Sequence, residues 1–391
     1  MLRIDEPVFY CGDELQNWKL ERMDKIMDEN GLDAIVFTKH DSVRYISGFY
    51  TKGYRPFLEF DYLGVVVRGK KVVVGYSMAG EERRIATRSR ATEARKLGSL
   101  NTWDVTIAEI LSDYGVTSGR VGFDLLPHFV YANLVKRVPS VEFVDISGLW
   151  ADLTAIKHPL EVQLIKEALE ITMAGMRAGI AAAKPGVTEL EISAAAECEM
   201  RRMGSEVNPF IPVVCSGENS AIWERVATER VVGNNEMMIL DFGCVHKGYT
   251  GDFARTIIVG DPTPLHKKIY TTAYVAQKEA VKAMKPGVKC KDIDAIVRRV
   301  AKDFGMERYI QPWASGHQLG FGLHGTPLVG PNVEDELKEN MVINIEPGLT
   351  TYDNLSGGGV EIEDTVIITA NGAEYLTNFP YEEKLIDHSM L

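Results

Sequence analysis

Hydrophobic and polar positions in the first 150 residues follow helical and strand spacing in turn. The segment "ELQNWKLERMDKIMDENG" has helical spacing and stops at Gly31, and "DAIVFT" follows as a short buried strand. "YLGVVVRGKKVVVGY" predicts two strands joined by a Gly-Lys-Lys turn. Helix and strand patterns then alternate through "TWDVTIAEILSDYG", "GRVGFDL", "FVYANLVKRV" and "VEFVDI". This order predicts a sheet with helices on its faces, and we identify no candidate site in it.

A long helical pattern, "IKHPLEVQLIKEALEITMAGMRAGIAAAKPG", begins at about residue 156. We therefore predict two domains, 1–155 and 156–391. The second contains an internal repeat, because "KPGVTELEISAAAECEMRRMG" from Lys184 resembles "KPGVKCKDIDAIVRRVAKDFG" from Lys285, at an offset of 101 residues. Lys-Pro-Gly turns are common helix stops, but a match over about twenty residues favours duplication of a helix–turn–helix–strand unit.

Composition and charge limit the function classes. The chain has 391 residues, 45% of them hydrophobic, and a net charge of −12. A pI near 5.3 argues against nucleic acid or an anionic membrane as the main partner. The N-terminus has no signal-peptide pattern, and no run approaches the ~20 apolar residues of a membrane span. The five cysteines form no CxxC pair, so we expect a cytoplasmic, reducing location.

Two aspartates stand in apolar surroundings in "MMILDFGCVHKGYTGDFARTIIVG". Asp241 and Asp252 lie on two strand patterns that a glycine-containing loop can fold into a hairpin, which would bring both carboxylates together. A carboxylate in such a strand loses hydration unless a positive group meets it. The runs "MMIL" and "TIIV" contain no basic residue, so the positive partner must come from elsewhere.

Three further residues join this candidate site. Glu346 ends the strand pattern "MVINIEPG", Glu363 lies in "GGGVEIEDTVIIT", and His317 lies in "SGHQLGFGLHG", close to His324. Each has an ordinary explanation alone, as a solvated strand acid or a satisfied core histidine. Together, four carboxylates would repel one another strongly, and two divalent cations would balance them. Oxygen-rich ligation with one imidazole suits Mn, Co, Fe or Zn, and two such ions can share and activate a hydroxide.

The order Asp, Asp, His, Glu, Glu in "LDFG…YTGDFART", "GHQLG…LHG", "INIEPGL" and "VEIEDTVIIT" resembles that of the pita-bread metallopeptidases, in their prolidase, aminopeptidase P and creatinase branch. The resemblance covers the whole chain. It implies an α/β (α+β) protein with an N-terminal creatinase-like α/β domain and a C-terminal pita-bread domain with an internal pseudo-twofold duplication. It also implies a homodimer.

The same resemblance assigns roles to the candidate residues. Asp241 would chelate one metal ion, His317 and Glu346 the other, and Asp252 and Glu363 would bridge the two, with manganese the first candidate metal. Glu346 would also shuttle protons beside a metal-bridging hydroxide that attacks an amide carbonyl. His324 would face the substrate and steady the oxyanion, although a structural histidine at the pocket wall is the plain alternative.

The pocket departs from the family pattern at several positions. Where proline-directed members usually have histidine, this chain has Glu224 beside Trp223, and Trp313 stands four residues before the metal histidine. Glu361 replaces a frequent arginine, and strand alternation predicts that it shares a face with Glu363. Two aromatic rings and two extra acids could bind a small cation. The alternative is that all four line the pocket of an ordinary peptidase.

Three functions are compatible with this sequence. The first is a dinuclear-metal hydrolase that cuts the bond before proline in small peptides. The second is a creatinase-like metal-dependent enzyme acting on a non-peptide small molecule, such as a compatible solute, an amidine or a cyclic amide. The third is a non-catalytic binding module, and the complete set of five candidate ligands argues against it.

Overall fold

The computed structural model describes residues 12–50, 61–69, 71–223 and 225–391. Contacts divide the chain into two compact units, Met1–Thr154 and Ala155–Leu391.

Within its described residues, the first unit contains a six-stranded sheet in the order β4-β3-β2-β1-β5-β6. Its strands are β1 Ala34–Phe37, β2 Tyr62–Val67, β3 Lys71–Tyr76, β4 Glu93–Lys96, β5 Gly119–Phe123 and β6 Val141–Asp145. Its helices are α1 Asp13–Glu29, α2 His40–Ser47, α3 Glu81–Arg88, α4 Trp103–Asp113, α5 His128–Arg137 and α6 Ser147–Ala155. The strands and helices that the apolar pattern predicted are present, and α2, α3, α6 and β4 are added to them.

In the described residues of the second unit, four α-helices are combined with three sheets. Its helices are α7 Pro159–Ala182, α8 Glu189–Arg202, α9 Pro264–Ala283 and α10 Cys290–Asp303. Its strands are β7 Val213–Ser216, β8 Glu236–His246, β9 Tyr249–Val259, β10 Gly316–Gly320, β11 Gly322–Val329, β12 Val342–Ile345, β13 Gly348–Thr350, β14 Gly359–Glu361, β15 Asp364–Thr369 and β16 Gly372–Tyr375. The sheets have the orders β7-β8-β9, β11-β10-β12-β15-β16 and β13-β14.

The predicted duplication is visible in this unit. Helices α7 and α8 are joined through Gly186, and α9 and α10 through Gly287, and both glycines have a positive φ, 89° and 85°. Helix α7 ends at Ala182 and α9 at Ala283, so these boundaries keep the spacing of the sequence repeat. In each half an antiparallel strand pair follows the two helices.

Local sequence fixes where the long helices begin. Helix α7 starts at Pro159, three residues after the predicted position, because His158 caps it and Glu161 closes a capping box. Thr263 caps α9 in the same way, with Pro264 as its first residue.

Candidate metal centre and active site

The hairpin of β8 and β9 brings the two aspartates to one face of the sheet. Its turn is at Lys247 and Gly248, whose φ values of 49° and 85° suit a tight two-residue turn. Asp241 pairs with Ala254, and Asp252 pairs with Gly243. The two carboxylates are therefore diagonal neighbours on the same face.

The imidazole of His317 lies among three carboxylates. Its Nε2 atom is 3.6 Å from Oδ2 of Asp252, 3.7 Å from Oε1 of Glu363 and 3.9 Å from Oε1 of Glu346. His317 Nδ1 lies 3.2 Å from the carbonyl oxygen of Gln318. Because a carbonyl only accepts, Nδ1 carries the proton, and the lone pair of Nε2 points toward the carboxylates.

The two glutamates come from the ends of strands rather than from their interiors. Glu346 directly follows β12, and Glu363 lies between β14 and β15. The predicted continuous strand through "GGGVEIEDTVIIT" is therefore wrong, because the chain leaves one sheet at Glu361 and enters another at Asp364. Glu363 is only 3% exposed, whereas the side chain of Glu346 is 21% exposed. Glu346 is thus the more accessible of the two carboxylates.

The negatively charged carboxylates of this cluster repel one another. Burial raises the pKa of Asp241, Asp252, Glu346 and Glu363 well above the ordinary carboxyl value, and the neighbouring carboxylates raise it further. The Asp241 carboxylate acts on all three others, so it belongs to the same cluster. Burial, assisted by His324, lowers the pKa of His317 to about 3. The imidazole is therefore neutral and supplies no balancing charge.

Several atoms of the cluster lack hydrogen-bond partners among the residues that the structure describes. They are Oδ1 of Asp241, Oδ1 of Asp252 and Nε2 of His317, and all three are buried. Ligand atoms of Asp252, His317 and Glu363 lie within 4.8 Å of one another. Burying carboxylates around an imidazole lone pair costs free energy unless a cation balances their charge. These residues therefore fit divalent metal ions.

Asn344 supports the cluster, and the sequence analysis missed it. It lies in β12 opposite His317 and is fully buried. Its Nδ2 donates to Oε1 of Glu363 at 2.6 Å and to the backbone carbonyl of Asp252 at 3.2 Å. The available signal was an asparagine between Ile343 and Ile345, a polar residue inside an apolar strand.

His324 lies at the exposed side of the cluster. It belongs to β11, and its ring is 4.4 Å from the His317 ring at an angle of 80°. Its partial burial lowers its pKa, so the neutral imidazole is favoured.

The predicted pocket residues are only partly brought together. Trp223 and Trp313 form an edge-to-face pair with ring centroids 5.0 Å apart, and Trp313 is 53% exposed. Glu361 is not an unpaired acid, because Nη1 of Arg225 lies 2.5 Å from its Oε2 atom. The cation-binding role of Glu361 stays a prediction, and the guanidinium of Arg225 would compete for the same carboxylate. Glu224 lies outside the described residues.

Two family profiles match this chain. The Metallopeptidase family M24 profile matches residues 163–370, and the Creatinase/Prolidase N-terminal domain profile matches residues 19–156. The chain is 31% identical over 371 residues to an Xaa-Pro dipeptidase of Pyrococcus horikoshii, covering 93% of this chain and 98% of that protein. It is 32% identical over 366 residues to an Xaa-Pro dipeptidase of Pyrococcus furiosus, covering 92% and 97%.

Solved structures agree with this assignment. An Xaa-Pro dipeptidase from Bacillus anthracis superimposes with a TM-score of 0.82 at 28% identity, covering 94% of this chain and 99% of that one. The fold and the buried carboxylate–imidazole cluster define a metallohydrolase. The chain belongs to metallopeptidase family M24. The predicted family, the two-part fold and the hydrolase class are confirmed.

Within the described part of the chain, no helix is long and apolar enough to cross a membrane.

Proposed function

We propose that this protein is a metal-dependent Xaa-Pro dipeptidase whose catalytic domain is residues 156–391. The observation that carries the metal centre is Nε2 of His317, which has no hydrogen-bond partner among the described residues. It faces three carboxylates within 3.9 Å. The substrate is supported by similarity to two Xaa-Pro dipeptidases along more than nine-tenths of the chain. The activity in the names of both relatives favours a peptide substrate over a non-peptide one.

Two divalent ions would be held by the five residues named from the sequence, with manganese first and cobalt, iron or zinc as alternatives. These residues are Asp241, Asp252, His317, Glu346 and Glu363. At this centre the ions would activate water and polarise the scissile carbonyl. Asn344 keeps Glu363 in place through its 2.6 Å hydrogen bond, and the Nδ1–H of His317 fixes its ring on the Gln318 carbonyl.

Glu346 would transfer the proton, and His324 would stabilise the oxyanion. The bond before proline is a tertiary amide, so its nitrogen carries no hydrogen and must gain a proton to leave. Glu346 is the most solvent-accessible of the three carboxylates around His317, and in our proposal it takes a proton from the attacking water and gives it to this nitrogen. Neutral His324 donates one N–H to the carbonyl oxygen as negative charge develops there.

Proline release tests this function. Metal-loaded protein should release proline from Xaa-Pro dipeptides and leave the matching Xaa-Ala dipeptides largely intact, and elemental analysis should give about two metal ions per chain. Full activity in a chelator-treated, metal-free sample would contradict the metal proposal. Cleavage of Xaa-Ala at the same rate would contradict the proline specificity.

Two further proposals concern the state of the protein. We propose a homodimer, and a monomer by light scattering at micromolar concentration would reject it. We also propose a reducing, cytoplasmic location, which is supported by the free thiols of Cys198, Cys215, Cys244 and Cys290.

A further inference from the structure

A short segment, residues 311–315, interrupts the regular strand pairing beside Glu346. Two antiparallel pairs of residues flank the interruption: Gly316 with Ile345, and Ile310 with Leu349. Between these pairs, the five residues 311–315 stand opposite the three residues 346–348. The two extra residues break the ladder, so the backbone groups of segment 311–315 need other hydrogen-bond partners.

An ion pair on α10 supplies partners for this segment. Arg298 donates from Nη1 to the Gln311 carbonyl at 3.2 Å and from Nη2 to the Trp313 carbonyl at 3.0 Å. Its Nε and Nη2 also donate to the Asp294 carboxylate, at 2.6 and 3.2 Å. Asp294 is only 1% exposed, and it accepts a further hydrogen bond from Oγ of Ser315 at 2.6 Å. One ion pair therefore binds segment 311–315 at three points.

Segment 311–315 in turn holds the backbone around Glu346. The Ser315 carbonyl accepts a hydrogen bond from the Glu346 N–H at 3.0 Å. The Gln311 N–H donates to the Gly348 carbonyl, and Oε1 of Gln311 accepts from the Gly348 N–H, both at 3.0 Å. Because Glu346 lies just beyond the last residue of β12, its position depends on these contacts rather than on the regular ladder.

We propose that Asp294 and Arg298 are positioning residues that set the place of the Glu346 carboxylate through segment 311–315. This inference rests on the proposed function, in which Glu346 carries a proton from the attacking water to the leaving nitrogen. Such a transfer requires the carboxylate to lie within hydrogen-bond reach of the atoms that exchange the proton. A displacement of about 1 Å can cost about 100-fold in rate. The ion pair thus acts on the reaction through the backbone.

The shape of the Arg298 guanidinium is needed for this role, in addition to its charge. A planar group with several N–H donors can bind a carboxylate and two carbonyl oxygens at once. A lysine ammonium keeps the positive charge beside Asp294 but does not reproduce that planar arrangement of donors. Arg298→Lys is therefore the informative variant. It keeps the buried Asp294 carboxylate paired with a cation and weakens the hold on the Gln311 and Trp313 carbonyls.

The duplicated half of the unit provides a matched control. Arg201 of α8 also donates to two backbone carbonyls, those of Ser205, at 2.8 Å, and Glu206. These carbonyls lie between α8 and β7, away in sequence from segment 311–315. Arg201→Lys makes the same replacement of a guanidinium by an ammonium, and it should leave kcat and KM unchanged.

Substrates that differ in the basicity of the leaving nitrogen test the proposal. The pair consists of an Xaa-Pro dipeptide and its counterpart with two fluorines on the proline ring, whose less basic nitrogen depends less on proton donation. With the proline substrate, Arg298→Lys should lower kcat about 10- to 100-fold and leave KM and metal content unchanged. With the fluorinated substrate, the loss in kcat should be at least about threefold smaller. An unchanged kcat, an equal loss with both substrates, or a loss of metal would overturn the proposal.

Amide hydrogen exchange separates this inference from the proposed function. If the wild-type protein cleaves no Xaa-Pro dipeptide, the proposed function fails, and exchange in the metal-free protein decides the inference by itself. Arg298→Lys should speed exchange of the Glu346 and Gly348 amides about tenfold or more and leave the α10 amides unchanged. Arg201→Lys should change neither set. Unchanged exchange at Glu346 and Gly348 in Arg298→Lys would overturn the inference, and so would an equal acceleration throughout α10, because it would indicate general destabilisation.

Discussion

The Nδ2 atom of Asn344 lies 2.6 Å from Oε1 of Glu363, and both residues are buried. The same nitrogen is 3.2 Å from the backbone carbonyl of Asp252. One amide group therefore orients the Glu363 carboxylate, between β14 and β15, and holds the backbone of a second candidate ligand, Asp252 in β9. Such supporting contacts usually determine how well a site holds its metal.

Asn344→Leu should weaken metal binding without unfolding the chain. Leucine has a similar size but cannot donate to Glu363, so we expect metal affinity to fall about 10- to 100-fold. Calorimetric titration of metal-free protein with Mn²⁺ measures this. Thr365→Val is the control, because the Thr365 hydroxyl donates to the Asp252 carbonyl at 3.1 Å and not to a candidate ligand side chain, so its loss should change affinity by only a few-fold. Equal losses in the two variants would contradict the role of the amide.

His324→Leu should reduce kcat and leave metal content unchanged. His324 stands beside His317 with a ring distance of 4.4 Å, yet it is not among the five proposed ligands. Leucine has no N–H, and loss of one oxyanion donor usually costs about 100- to 1,000-fold in kcat. Elemental analysis beside steady-state kinetics on an Xaa-Pro dipeptide checks both parts. His388→Leu is the control, because His388 is exposed and contacts Glu383. Loss of metal in His324→Leu would instead assign this residue to the metal site.

Metal uptake should weaken as pH falls. The carboxyl groups of Asp241, Asp252, Glu346 and Glu363 have pKa values raised well above 3.8 and 4.5, chiefly by burial. The metal-free cluster therefore keeps protons at pH values where ordinary carboxyl groups have lost them, and metal binding must release those protons. Calorimetry at about pH 6, 7 and 8 should give tighter binding and less proton release at each higher pH.

An exposed acid provides the control for this pH dependence. Lys291 and Lys289 lower the pKa of Glu334 to about 2, so Glu334 is ionised at every pH of the titration. Glu334→Gln should leave the pH dependence of metal uptake unchanged. A metal affinity that is independent of pH in the wild-type chain would contradict the raised carboxyl pKa values.

The sequence predicted the features that local patterns encode. The β8–β9 hairpin follows from two apolar runs around a short turn, and the duplication follows from the repeated Lys-Pro-Gly. The order of the five candidate ligands pointed to the family, and the family profile confirms that membership. The structure brings Asp252, His317 and Glu363 together although they are far apart in the chain.

The features that were missed depend on contacts between distant segments. Arg225 meets Glu361 across 136 positions of sequence, and no local pattern links the two. Nearby, the chain at Ser220 lies close to β14, where a Cβ atom on Gly359 would be only 1.9 Å from the Ser220 carbonyl oxygen. A shared face for Glu361 and Glu363 was inferred from strand alternation, which does not apply where the chain passes between two sheets.

Asp364→Asn should destabilise the second unit strongly. Asp364 follows the candidate ligand Glu363 and is 2% exposed, as is its partner Arg255. It also accepts hydrogen bonds from Gln277, Thr377 and Tyr381, at 2.9, 2.6 and 2.7 Å. Asparagine keeps the shape but removes the charge and replaces one acceptor with a donor. We expect a loss of about 3–5 kcal/mol in the free energy of unfolding.

Urea denaturation of metal-free protein measures this loss, because without metal the result does not depend on changed metal affinity. The control is Asp353→Asn, which removes the acid of an exposed pair with Arg308 and should cost less than about 1 kcal/mol. If the two variants lose similar free energy, the Asp364 network adds little to stability. If Asp364→Asn is destabilised and Asp353→Asn is not, the Asp364 network contributes to stability. If Arg255→Met is then destabilised to the same degree as Asp364→Asn, the buried pair stabilises the strand that directly follows Glu363.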